Sequence, residues 1–158
     1  MRFQKLPTDY VASLALSSDT SDFLTTVGLP TEIPELKHSI ELNFYSDKRI
    51  IKKWFKGTNY VVIGDDSGTR LAISLDDDHV YSVDFDNLIS TNPICFVNSR
   101  IDKFVESIRC FIEFKVKAEI RDQSENQLKE LMKKQITDID KRALEDGTWW
   151  AQIIDEPI

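Results

Sequence analysis

Residues 94–116 read ICFVNSRIDKFVESIRCFIEFKV, and the fold class turns on how this stretch divides. Ile94 to Val97 is a short apolar run of strand length; Asn98 and Ser99 interrupt it, and from Ile101 the apolar residues return with a new period. Ile101, Phe104, Val105, Ile108, Phe111 and Ile112 fall at the i, i+3, i+4, i+7 spacing that lines one face of an α-helix. Ser99 is placed to cap that helix, and Asp102 puts a carboxylate in its first turn. A buried strand feeding the main helix, with Phe104 in the core, is the expected step, and the helix should reach about Lys117 or beyond.

Upstream, alternation replaces helical periodicity. Ile40, Leu42 and Phe44 alternate with Glu41, Asn43 and Tyr45, which predicts a half-buried strand. Tyr60 to Gly64, Leu71 to Leu75 and Val80 to Asp84 are three further β-rich runs, separated by Asp65-Asp66-Ser67-Gly68 and Asp76-Asp77-Asp78-His79, both with turn chemistry. An antiparallel meander is the economical connection. Residues 1–17 are ambiguous between helix and strand. A short helix capped by Ser18 or Asp19 should stop at Gly28, with Leu29 and Pro30 just beyond and Pro34 keeping the connector extended.

Downstream, Ser124 and Gln127 form a capping box for a helix carrying Leu128, Leu131, Met132, Ile136 and Ile139. After a break at Asp138 to Asp140 and Gly147, Trp149, Trp150, Ile153 and Ile154 predict a short terminal helix that docks aromatic surface on the core. The expected fold is therefore α+β, a sheet of about five to six mostly antiparallel strands packed against helices. With 158 residues and no dividing linker, one domain spanning 1–158 is expected, able to bury roughly 70% of the surface of its unfolded chain.

Charge is unevenly spread. The net charge is −7, which disfavours general nucleic-acid binding. Between Gly57 and Asn98, seven aspartates (Asp65, Asp66, Asp76, Asp77, Asp78, Asp84 and Asp86) face one base, Arg70. Between Tyr45 and Lys56 the balance reverses, with Lys48, Arg49, Lys52, Lys53 and Lys56 against Asp47. The molecule should be an electrostatic dipole. The lysines around Trp54 and Phe55 could bind nucleic acid by charge plus stacking, but the acidic stretch nearby gives a mixed potential, so they read as a solvated strand or helix edge, as a contact for an acidic partner, or as a balance to the chain's own acidic turns.

Catalytic signatures are missing. The acidic turns lack the spaced ligands and distal Glu of a calcium loop, and they read as solvated turns or as a rim facing a partner. His38 and His79 have no nucleophile arrangement around them, and neither glycine-rich nucleotide motif occurs. Cys95 and Cys110 read as small buried thiols. The N-terminus has no signal-peptide pattern, and no run approaches the ~18 apolar residues of a membrane span, so a cytoplasmic protein without cofactor or metal is expected.

Five blocks in order carry a resemblance: FLTTVGLP from Phe23, YVVIGDDSG from Tyr60, VYSVD from Val80, FVNSRIDKFVESI from Phe96, and DIDKRAL from Asp138 followed by TWWAQIIDE from Thr148. The chain resembles the SUKH superfamily over some 130 residues, and most closely its fourth group. Arg100 stands where Ser or Thr is usual, and the basic stretch Lys48 to Lys56 matches no motif. The resemblance implies a non-enzymatic immunity protein that binds a cognate toxin domain, commonly a nuclease or nucleic-acid deaminase, and makes no direct contact with nucleic acid or membrane. Gly28, Pro30, Asn98, Ser99, Phe104, Trp149 and Trp150 would then be scaffold, and the seven aspartates the candidate toxin-facing residues. Some eukaryotic members of the superfamily imply another role, a regulatory scaffold for a host signalling protein. Neither the toxin nor the oligomeric state is implied.

Overall fold

A computed structural model describes residues 1–36, 40–87, 91–119 and 124–155; His38 lies outside these. The fold is α+β. Six strands form the main sheet: β3 (Leu42–Phe44), β4 (Ile51–Phe55), β5 (Thr58–Asp66), β6 (Thr69–Ser74), β7 (Val80–Val83) and β8 (Ile94–Asn98). β5 to β8 are an antiparallel meander, as the alternating pattern predicts. The first edge is shared by two short strands: β3 pairs with the second half of β5, and β4 with its first half.

Two features escaped the sequence reading. The basic stretch contains a strand, β4, closed against β5 by Lys56 and Gly57, both at positive φ (47° and 89°) as a two-residue type I′ hairpin requires. The ambiguous N-terminus contributes β1 (Arg2–Gln4), which pairs with β2 (Leu29–Glu32) as a separate two-stranded sheet, followed by the short helix α1 (Thr8–Ala12). Pro30 thus lies within a strand, opposite Phe3. Helix α2 (Ser18–Thr26) is capped one residue earlier than expected, by the Ser17 side chain accepting from the Thr20 N–H. Gly28, at φ +90°, ends it where a Cβ would lie 2.0 Å from the Gln4 carbonyl oxygen, so the position needs glycine for both conformation and space.

Helix α3 (Ile101–Glu119) lays its apolar stripe on one face of the sheet, with Ile101, Phe104, Val105, Ile108, Phe111 and Phe114 all buried. Phe104 is fully buried between Phe44, Trp149 and Trp150, with ring centroids 5.9, 5.9 and 6.2 Å away. Those tryptophans open α5 (Trp149–Asp155), which follows α4 (Glu125–Ile139), and α4 starts at the expected Ser124 cap. β8 itself is an edge strand, and its first three residues are only half-buried. Cys110 is buried, which pushes its thiol up to about 11; Cys95 is half-buried, and both are free thiols.

Candidate functional site

Strand reversal divides the aspartates. Asp65 and Asp66 end β5, and Asp84 follows β7 at that same end of the sheet, whereas Asp76 to Asp78 form the turn at the far end of β6. Six residues of β6 at ~3.4 Å each put about 20 Å between the two groups. What is dense in sequence is two separate acidic regions in space.

At the first end, Asp65 and Asp66 occupy strand positions and not the turn expected for them; only Ser67 and Gly68 turn the chain. Asp65 accepts from the Asn43 side-chain amide at 3.0 Å and lies 3.9 Å from the Arg70 guanidinium. Asp66 accepts from Thr69, Ser82 and the Trp149 indole N–H. Its burial outweighs those bonds and raises its pKa above the ordinary carboxylate value. Asp84 is 4% exposed, so its burial removes it from any surface a partner could reach. Its backbone N–H donates to the Pro93 carbonyl at 2.8 Å, fixing the start of the loop to β8. Asp86, two residues on, is exposed.

The second end is more open. Asp76 is exposed and accepts from the Thr58 hydroxyl at 2.8 Å. Asp77 accepts from the Tyr81 hydroxyl at 2.7 Å and the His79 backbone N–H at 3.0 Å. Burial alone would raise its pKa, but these bonds outweigh it and hold the carboxyl below its ordinary value. Asp78, at φ +64°, accepts from Ser17 and Thr20 at the start of α2, tying the turn to a helix N-terminus that favours negative charge.

Two acids read from the sequence only as helix-start residues, Asp19 and Asp102, complete this end. Arg100 donates to both Asp102 carboxylate oxygens, from Nε at 2.8 Å and Nη2 at 2.6 Å, and its Nη1 reaches Asp19 at 3.2 Å. The bidentate bond outweighs partial burial and holds the Asp102 carboxyl below its ordinary pKa. Asp19 and Asp102, held by Arg100, thus join Asp76, Asp77 and Asp78 at one end of the sheet. No local pattern joins Asp19 to Arg100, which lies 81 positions away.

Beside this end runs a row of half-buried rings on the sheet face opposite α3. His79 and Tyr81 meet Phe96, and Tyr81 continues to the buried Tyr60, then Phe85 and Phe55, with successive centroids 5.3–6.2 Å apart. Lys53 sits over Phe85 and Arg142 over Phe96. Burial, and then the bond to Asp77, push the Tyr81 hydroxyl well above its usual range, so it remains a hydrogen-bond donor.

Three of the predicted scaffold residues meet elsewhere: Asn98 and Ser99 bond Asp140, and Trp150 joins them through Asn98. This 2%-exposed carboxylate accepts from the Asn98 amide at 3.1 Å, the Ser99 N–H at 2.6 Å and the Ser99 hydroxyl at 2.7 Å, while Asn98 accepts from the Trp150 indole at 2.8 Å. The Ser99 hydroxyl therefore donates to Asp140, where a helix-capping acceptor role had been expected.

Among the described residues, no three His, Cys, Asp or Glu side chains converge as a metal site requires, and no helix is long and apolar enough to cross a membrane. The geometry is that of an α+β protein presenting charged and half-buried aromatic side chains on its main sheet. A family model, the SUKH-4 immunity protein, matches residues 2–156, and the chain belongs to that family. No match is found among curated proteins or solved structures.

Proposed function

We propose that this chain binds a cognate toxin domain and neutralises it by occlusion, acting in the cytoplasm without chemistry of its own. Membership of an immunity-protein family across residues 2–156 carries this reading. The exposed acidic surface, with Asp76 in one acidic region and Asp86 in the other, supports a nuclease or nucleic-acid deaminase as the target. Such a toxin must offer nucleic acid a cationic groove, and an acidic surface can both fill that groove and speed association.

Among the seven sequence candidates, Asp76 and Asp86 are exposed and lie outside the ties that hold Asp66 and Asp78, so they are the residues to change. The test is titration calorimetry against the toxin domain encoded beside this chain, paired with co-expression rescue. Asp76→Lys with Asp86→Lys should weaken binding at least tenfold and reduce its salt dependence, leaving the melting temperature unchanged. Affinity indifferent to both salt and these reversals would rule out the acidic contact, and absence of rescue by the unaltered chain would rule out neutralisation.

A further inference from the structure

The two large apolar side chains most open to solvent among the described residues are Trp54 (65% exposed) and Ile51 (54%), and both lie on β4. The strand pairs on one side only, with β5, and Ile51 to Trp54 are exposed although they continue a sheet whose next strand is buried.

The hairpin register says which backbone groups are open. Because Lys56 and Gly57 make a two-residue turn, Phe55 and Thr58 are the hydrogen-bonded pair that closes it. Alternation then directs the N–H and C=O of Phe55, Lys53 and Ile51 toward β5, and those of Trp54 and Lys52 outward. No backbone partner for Lys52 or Trp54 occurs on that outer side among the described residues.

We propose that β4 receives an acidic extended segment of the toxin domain as an added strand, bonded to the backbone of Lys52 and Trp54. This rests on the reading that the chain binds such a domain. Charge selects the occupant. Lys52 and Lys53 are exposed on opposite faces of the strand, and Lys48 and Lys56 flank it, so acidic side chains on either face of an incoming strand meet a cation. A second copy of this chain is disfavoured, since antiparallel β4–β4 pairing would set lysines against lysines. Trp54 supplies a flat apolar surface beside the added backbone. Thr58, at the foot of the same hairpin, bonds Asp76, so the basic edge meets the acidic end. A partner spanning both would carry the complementary pair, a cationic groove beside an acidic strand.

The test is residue-resolved amide hydrogen exchange by NMR on the full chain, alone and saturated with the toxin domain encoded beside it. Lys52 and Trp54 amides should exchange freely alone and slow at least tenfold in the complex, while Ile51, Lys53 and Phe55 are protected in both. Lys52→Glu with Lys53→Glu should weaken binding at least tenfold in calorimetry with circular dichroism unchanged. A complex in which the two amides still exchange freely overturns the strand addition and leaves the toxin-binding reading standing. A silent calorimetry trace overturns both. A dimer without toxin, seen by analytical ultracentrifugation and protecting these amides, shows the occupant to be a second copy and overturns the acidic one.

Discussion

Asp140 and Ser99 are 41 positions apart, yet the Asp140 carboxylate accepts both the Ser99 N–H and the Ser99 hydroxyl. This joins the end of α4 to the segment that leads from β8 into α3, and through Asn98 it reaches the buried Trp150 indole. One carboxylate thereby locks the strand-to-helix step that the sequence places at the centre of the fold. Removing it with Asp140→Ala should cost about 2–4 kcal/mol, because buried donors lose a charged acceptor. Urea unfolding at neutral pH measures the loss.

The same residue sets an acid limit. Burial would raise the Asp140 pKa, but the bonds from Ser99 and Asn98 outweigh it and hold the carboxyl below its ordinary value. A depressed folded pKa contributes stability that is present above the unfolded value of about 4 and lost as pH falls through the folded one. Stability should therefore fall below about pH 4, and Asp140→Asn should flatten that fall while being less stable at pH 7. Urea midpoints measured at pH 7, 4 and 3 for both proteins check the sign.

Phe104→Ala would open a cavity between Phe44, Trp149 and Trp150. The expected cost is about 3–5 kcal/mol. Differential scanning calorimetry should show a melting temperature lower by roughly 6–20 °C for a chain of this size, and a smaller drop would mean the site collapses.

Two neighbouring aspartates should separate sharply. Asp78→Ala breaks the bonds to Ser17 and Thr20 at the start of α2 and should cost about 1–2 kcal/mol. Asp76→Ala loses one exposed bond to Thr58 and should change stability by less than about 0.5 kcal/mol. Parallel denaturant titrations decide it, and equal effects would show that the tie to α2 carries no stability.

Gly28→Ala combines a left-handed backbone with a Cβ driven into the Gln4 carbonyl. The strain alone is about 1–2 kcal/mol, and the clash with backbone, which cannot rotate away, adds to it. Amide exchange in β1 and β2 should accelerate more than in β6, since only the two-stranded sheet must shift.

Much of this was legible because burial imposes a period. The stripe from Ile101 to Phe111, the runs of β5 to β7 and the Ser124 cap are local patterns, and each element formed around those residues, with β5 running on through Asp65 and Asp66 where a turn was expected. β4 was obscured because Ile51 to Trp54 are solvated on both faces and so show no alternation, and β1 because its pairing depends on a strand some 27 residues later, a relation no window contains.

The site was less legible for the same reason. Composition alone established a strongly acidic region after Gly57 and a basic one before it, since charge can be counted without knowing the path of the chain. Only the tertiary structure decided that Asp84 is buried, that Asp66 serves the core through Trp149, that the remaining acids lie at two ends of a sheet, and that Asp19 and Asp102 join one of them through Arg100. Local sequence carries period and charge; reversal of strands and closure of long loops decide which charges become neighbours, and those depend on the whole core packing at once.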